Sequence, residues 1–270
     1  MDLYAVVGNP VSHSKSPEIH SLFAEQTGQN LTYSALQAPL KGFPETVARF
    51  FEAGGKGLNV TVPFKEAAWQ LSVQRSKQSQ LAGATNTLYL QGKEICGDNT
   101  DGAGLVRDLT INQGFSIEGK KILVLGAGGA VRGVLLPLLE QQPESIVIAN
   151  RTLARAEQLA QLFADFGSID AMAYDSLDGV FDLIINGTSA SLEGSVPSIP
   201  VSVLGSGAMA YDMMYNNEQT PFCHWASSHG AAASIDGLGM LVEQAAESFY
   251  IWRGVRPDTK SVLQYLKGDT

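Results

Sequence analysis

The chain has 270 residues, 44% of them hydrophobic and 17% charged, with 27 acidic against 18 basic side chains and a formal net charge of −9. This length suits two domains of ordinary size, and this composition a globular fold rather than a disordered or fibrous one. The acidic balance argues against the basic surface of a nucleic-acid binder, and no apolar run approaches the ~20 residues that span a bilayer. Two cysteines, Cys96 and Cys223, are too few for a disulfide framework and lack metal-ligand spacing. None of the histidines His13, His20, His224 and His229 forms the helical pair of a zinc hydrolase. Met1-Asp2-Leu3-Tyr4 reads as the start of a strand, not as a secretion signal. A reduced cytoplasmic setting is expected, with no metal.

In chain order, the pattern predicts a strand over residues 2–8, a helix over 17–26, a strand over 32–38, a helix over 42–53 and a strand over 57–62. Two short helices near 64–71 and 75–81 precede strands over 84–90 and 94–97, and residues 101–112 form a linking helix. A second unit opens with the strand 121–125 and a helix running to about residue 141. Next come a strand over 145–149, a helix over 153–166, and strands over 170–174, 183–186 and 208–212. Helices over 238–253 and 259–267 close the chain. Strands alternating with helices predict parallel, largely buried sheets. The expected fold is therefore α/β in two domains. An N-terminal mixed or parallel-sheet domain (1–101, joined by about 238–270) precedes a Rossmann-type dinucleotide-binding domain (102–237).

The strand over 121–125 runs into Gly126-Ala127-Gly128-Gly129-Ala130 and then a helix. That context lets backbone amides approach a pyrophosphate at the positive end of the helix. The third glycine of the usual pattern is replaced by Val131. The next strand ends in Asn150-Arg151-Thr152, with Arg155 close behind and no Asp or Glu between residues 145 and 156. An acid at this place binds the ribose 2′-hydroxyl of NAD, whereas arginine receives the 2′-phosphate of NADP. Arg151 and Arg155 therefore predict NADP, against the simpler reading of two solvated cations at a helix start.

Several polar residues of the first unit stand out. Ser16 before Pro17 reads as an N-cap, whereas Ser14 has no such explanation. The two-residue period puts Asn59 and Thr61 on one strand face, which needs polar partners from protein or ligand. Lys65 lies in the first turn of a helix, where cations are disfavoured, so it is either solvated or functional. Asp101 reads as the N-cap of the next helix or as part of a site.

Taken together, these segments resemble the shikimate dehydrogenase family over essentially the whole chain. The matches, in order, are Gly8-Asn9-Pro10 with residues 12–17, residues 59–65, Gly83-Ala84-Thr85-Asn86-Thr87 and Asn99-Thr100-Asp101-Gly102. Residues 126–130, Asn150-Arg151-Thr152 and 236–242 with Gln244 follow. The resemblance implies NADPH-dependent reduction of 3-dehydroshikimate to shikimate, a step toward chorismate and the aromatic amino acids, with Lys65 and Asp101 as the catalytic pair. It also implies substrate binding by Ser14, Ser16, Thr61, Asn86 and Gln244, with Asn59 and Tyr215 nearby. The cofactor would be held by Gly126, Ala127, Gly128, Gly129, Ala130, Asn150, Arg151, Thr152, Arg155 and Thr188, with Met213 and Gly237 on the nicotinamide side. The expected partners are this small substrate and cofactor, with neither nucleic acid nor membrane, in a monomer or homodimer. Two departures from the family pattern are Gly187, where Ala is usual, and Asn217, where Pro is frequent. The rival readings are a quinate/shikimate dehydrogenase of broader specificity and an NADP-binding sensor without turnover.

Overall fold

The computed structural model of the protein describes residues 1–268. Its first half comprises β1 (Asp2–Gly8), α1 (Ser16–Thr27), β2 (Leu31–Gln37), α2 (Phe43–Glu52), β3 (Gly55–Val60), α3 (Lys65–Leu71), β4 (Gln74–Arg75), α4 (Lys77–Ala82), β5 (Thr87–Gln91), β6 (Glu94–Asp98) and α5 (Asp101–Arg107). Then follow β7 (Lys121–Leu125), α6 (Gly129–Leu139), β8 (Ser145–Ala149), α7 (Leu153–Phe163), β9 (Ile169–Met172), β10 (Phe181–Asn186), β11 (Leu204–Asp212), α8 (Pro221–Ser228), β12 (Ala233–Ile235), α9 (Leu238–Arg253) and α10 (Thr259–Lys267). The chain divides into two compact units. The first joins Met1–Gly104 to Leu241–Thr270, and the second is Leu105–Met240.

The first unit carries a sheet of order β2-β1-β3-β5-β6-β4. β1 pairs in parallel with β2 and β3, whereas β5 runs antiparallel to both β3 and β6. The expectation of parallel pairing therefore holds for only part of this sheet. The reason is local: β5 and β6 are joined by a tight turn at Gly92, too short for the crossover that parallel strands need. One side of the sheet is filled by Val7, Leu58, Val60 and Leu88 with Phe43 and Val47 of α2 and Phe64. Segment 84–86, expected as strand, is irregular backbone that leads into β5, although the Asn86 backbone still bonds Val60 and Asp98.

The second unit carries a wholly parallel sheet of order β12-β11-β10-β7-β8-β9. Counted from β7, this is the 3-2-1-4-5-6 order of the doubly wound dinucleotide-binding fold. The four residues 122–125 of β7 are fully buried aliphatics, as a central parallel strand requires. Three pieces went unforeseen: α8, β12 and the two-residue β4. For α8 the signal was present, since Thr220 caps it by accepting the Cys223 amide and Pro221 follows. The linking helix also differs. It is α-helical to Arg107 and then widens to a π-turn over Asp108–Asn112.

Candidate active site

In an open α/β sheet, ligands bind beyond the carboxyl ends of the strands, where the strand order reverses. In the first unit that point lies between β1 and β3. The two strand ends are laced together there: the Thr61 amide donates to Val7 O at 3.0 Å and the Asn9 amide to Val62 O at 3.1 Å. The segments leaving these ends carry Ser14, Ser16, Thr61 and Lys65. Ser16 is not the cap expected of it, since Lys15 holds the N-cap position and no side chain caps α1. Ser16 is the first helical residue of α1 and is buried, and its amide donates to Ser14 Oγ at 3.2 Å. Ser14, not Ser16, supplies the local turn bond, which leaves the Ser16 hydroxyl for other partners.

Lys65 opens α3, and Thr85 N–H donates to its carbonyl at 2.9 Å, fixing its backbone to the 84–86 segment. Its Nζ donates to Asp101 Oδ2 at 2.6 Å, with 30% of the Lys65 side chain and 12% of the Asp101 side chain exposed. Asp101 is not the cap of α5. Its own amide donates to Asn99 Oδ1 at 3.1 Å, so Asn99 makes the turn and frees the Asp101 carboxylate. That carboxylate accepts from Asn86 Nδ2 at 2.8 Å on its other oxygen. Asn86 in turn lies 3.3 Å from Gln244 Oε1 on α9. A half-buried ammonium–carboxylate pair with two amides beside it results.

Asn59 stands apart from this group in its bonding. Its Oδ1 accepts from Tyr33 OH at 2.7 Å, and its Nδ2 reaches Ser248 Oγ at 2.9 Å and Asn86 O at 3.2 Å. The partners that a buried polar strand face demands are therefore protein groups. Thr100, Thr87 and Ser248 belong to the same cluster, and sequence reasoning missed them as site residues. One signal was available for Ser248, which follows Gln244 by one helical turn on the same face.

In the second unit the order reverses between β7 and β10, and the glycine turn leaves β7 at that point. Gly126 has φ +102°, which L side chains rarely adopt, and an added Cβ would meet the Thr188 methyl at 3.0 Å. Beside Gly128 and Gly129 the space is open for 4 Å. Gly128 is the N-cap of α6 and no side chain caps that helix, so its first amides face a space that a phosphate would fit. A groove of about 660 Å³ is lined by Asn150, Arg151, Tyr174, Thr188 and Ser189 among others. Burial pushes the Tyr174 phenol up, and the nearby Arg151 charge opposes that shift. Arg155 is exposed on α7 and is not among the lining residues. Asn150 Nδ2 donates to Thr152 O at 2.9 Å, which shapes the turn that presents Arg151.

The remaining predicted residues gather around Asp212, a fully buried carboxylate at the end of β11. It accepts from Asn186 Nδ2 at 3.0 Å, Ser191 Oγ at 2.6 Å, Thr220 Oγ1 at 2.7 Å and the Met214 amide at 3.1 Å. Thr188 Oγ1 donates to Asn186 Oδ1 at 2.7 Å, the Met213 amide to Asn186 O at 2.9 Å, and the Gly237 amide to Met214 O at 3.0 Å. Thr188, Met213 and Gly237 are thus tied to one anchor, and Tyr215 follows it by three residues. The open glycine turn, the groove that Arg151 shares with Asp175 and Glu193, and the anchored loop together offer a phosphorylated dinucleotide a place to bind. Among the described residues no group of His, Cys, Asp and Glu is arranged to hold a metal ion, and no helix is long and apolar enough to cross a membrane.

Gly187 has a steric reason. A Cβ there would overlap the Cγ2 of buried Val131 and lie 3.1 Å from Met213 Sδ. The missing third glycine of the turn and the glycine at 187 are therefore complementary: bulk at one position requires its absence at the other. Gly187→Ala is expected to lose about 1–3 kcal/mol of stability by overpacking, and Val131→Ala in the same chain to restore most of it. Urea denaturation of the two single variants and the double variant measures this; additive losses would separate the two positions.

The substrate-binding-domain model of shikimate dehydrogenases matches residues 6–88, the shikimate/quinate 5-dehydrogenase model residues 109–193, and the shikimate 5′-dehydrogenase C-terminal-domain model residues 237–267. A curated relative from Hahella chejuensis, a shikimate dehydrogenase (NADP+), is 60% identical over 99% of both chains. Among solved structures, an Ael1 enzyme from Pseudomonas putida superposes with a TM-score of 0.95 at 46% identity, covering 98% of each chain. The shikimate 5-dehydrogenase from Thermus thermophilus, solved with NADP(H) and shikimate, superposes with a TM-score of 0.88 at 32% identity, covering 100% of this chain and 99% of that one. With these likenesses spanning both units, the chain belongs to the NADP-dependent shikimate dehydrogenase family.

Proposed function

We propose that this chain catalyses the reversible NADP(H)-linked interconversion of 3-dehydroshikimate and shikimate, with Lys65 and Asp101 as its catalytic pair. The observation that carries the reading is the 2.6 Å contact between Lys65 Nζ and Asp101 Oδ2 beside the strand-order reversal of the first unit. The first unit is the substrate-binding domain in this reading, and the second binds NADP through residues 126–130, Asn150, Arg151, Thr152, Arg155 and Thr188, with Met213 and Gly237 on the nicotinamide side. Both cysteines are buried free thiols, in keeping with a reducing cytoplasm.

The reduced cofactor supplies a hydride when bound. Charge then develops on the former carbonyl oxygen, and Lys65 stabilises it with a charge-assisted hydrogen bond and gives it a proton. In the direction of shikimate oxidation, Lys65 takes the hydroxyl proton instead. Asp101 holds the ammonium aimed at that oxygen. The 30% exposure of the Lys65 side chain leaves a route by which solvent restores its proton. Ser14, Ser16, Thr61, Asn86, Gln244 and Tyr215 bind the carboxylate and hydroxyls of the substrate. Asn59, whose amide is bonded within the protein, acts by holding its neighbours.

Substrate choice tests the reading. Quinate carries an extra hydroxyl on its carboxylate-bearing carbon, which a pocket fitted with Ser14 and Ser16 does not accommodate. Steady-state kinetics should give a kcat/KM for shikimate at least about tenfold above that for quinate, the discrimination one misfitting group produces in a shaped pocket. Equal values would assign the chain to the broader quinate/shikimate class.

A further inference from the structure

Behind the catalytic pair lies a buried chain of polar side chains that bond one to the next. The Thr100 amide donates to Asn86 Oδ1 at 2.9 Å, and a backbone N–H can only donate, so the amide nitrogen of Asn86 must face Asp101 Oδ1 at 2.8 Å. Thr87 Oγ1 lies 2.9 Å from that same Asn86 oxygen, which can only accept. Ser248 Oγ lies 2.7 Å from Thr87 Oγ1, a pair in which either hydroxyl can donate, and also reaches Gln244 O at 3.1 Å. Asn59 Nδ2 faces the Asn86 carbonyl and donates to Ser248 Oγ at 2.9 Å, while Asn59 Oδ1 accepts from Tyr33 OH at 2.7 Å.

The order of contacts is therefore Tyr33, Asn59, Ser248, Thr87, Asn86, Asp101, ending on the carboxylate that holds Lys65. Asn59, Asn86, Thr87 and Ser248 are all buried, the last two completely. Hydrogen bonds linked in series in a low-dielectric interior reinforce one another. Tyr33 is itself fixed, its ring stacked on buried His20 at 4.1 Å.

We propose that Ser248, on α9, is a positioning residue for the reaction: it orients Asn86 through Thr87 and so holds the Asp101 carboxylate against Lys65. The hydroxyl joins three elements that are distant in sequence, since Asn59 lies in β3, Thr87 begins β5 and Ser248 lies in α9. Without it, Asn59 loses an acceptor and Thr87 a hydrogen-bonding partner. Asn86 keeps its bonds to Thr100 but loses the fixed hydroxyl behind its oxygen, and Asp101 keeps its contact with Lys65 but not its exact aim.

The inference rests on Lys65 and Asp101 being the catalytic pair, and the test separates the two. Kinetics and thermal unfolding are measured on Ser248→Ala, Asp101→Asn and the double variant. Ser248→Ala should lower kcat by about 10–100-fold, the penalty of a small misplacement, with the KM for shikimate within about threefold of wild type. In the Asp101→Asn background the same change should lower kcat by less than about twofold, because its target is gone. The fall in melting temperature should be alike in both backgrounds, and that contrast is one a merely structural hydroxyl would not produce.

Wild-type kcat in Ser248→Ala, or an equal fold-loss in both backgrounds, overturns the positioning role. Wild-type kcat in Asp101→Asn overturns the catalytic assignment instead. If Ser248→Ala does not fold, near-isosteric Thr87→Val breaks the next link and is judged by the same two criteria. Failure of both to fold would assign the chain of bonds to stability and likewise overturn the proposal.

Discussion

Lys65→Met is expected to lower kcat by about 10²–10⁴-fold, the usual contribution of a general acid–base group, while the KM for shikimate changes little. Methionine keeps the packing of the lysine stem and removes only the ammonium. The interaction lost is stronger with the developing alkoxide than with the bound ketone, so the loss falls on kcat rather than on binding. The fold should survive, since 30% of the Lys65 side chain is exposed and its backbone is held independently by the Thr85 amide. Removing Lys65 leaves the Asp101 carboxylate without its cation, but Asn86 still donates to it. Steady-state kinetics on the folded variant decides the matter. Unchanged kcat with a raised KM would make Lys65 a binding residue and leave the proton to another group.

The second large effect concerns cofactor choice. Arg151→Ser should weaken NADP+ binding by about 10–150-fold, from the ~1.5–3 kcal/mol of a charge-assisted hydrogen bond, and should leave NAD+ binding nearly unchanged. Arg151 lines the groove beside Tyr174 and Thr188, whereas Arg155 does not, so Arg155→Ser should cost less. Removing both should narrow the preference for NADP+ over NAD+ furthest. Calorimetric titration of each variant with the two cofactors measures this. Equal losses for both cofactors would mean that the arginines shape the β8–α7 turn rather than hold a 2′-phosphate.

Much of this architecture was legible in the sequence because local and global signals agreed. The aliphatic run of β7, the glycine turn after it and the acid-free end of β8 each point to a dinucleotide fold, and the all-parallel sheet follows from them. The first unit was harder, since a hairpin at Gly92 within an alternating pattern is a single glycine signal. α8 escaped because eight residues give too few turns for a clear apolar period.

In the site, residues at turns and helix starts could be singled out by type. What they bond could not, because hydroxyl and amide partners come from strands and helices far apart in sequence. Ser16 lost its expected capping role for a one-residue reason: α1 begins at Ser16 itself, with Lys15 at the N-cap. Asp101 lost its expected capping role to Asn99, two residues earlier. Ser248 became visible only once α9 lay against β3 and β5, with the hydroxyl 2.9 Å from Asn59 and 2.7 Å from Thr87. Asp212 shows the same limit. A lone acid at a strand end says nothing until donors from β10 and from the segments after β10 and β11 converge on it.

The central claim is that this chain moves a hydride between shikimate and NADP while Lys65 carries the proton. Its most direct test is the rise in reduced-cofactor absorbance when the purified protein is mixed with shikimate and NADP+, set against NAD+ and against the Lys65→Met variant. The account predicts rapid formation of NADPH, a much lower kcat/KM with NAD+, and a rate in Lys65→Met reduced by at least about 10²-fold. Absence of NADPH formation by the folded wild-type protein, or an equal rate in Lys65→Met, would contradict it.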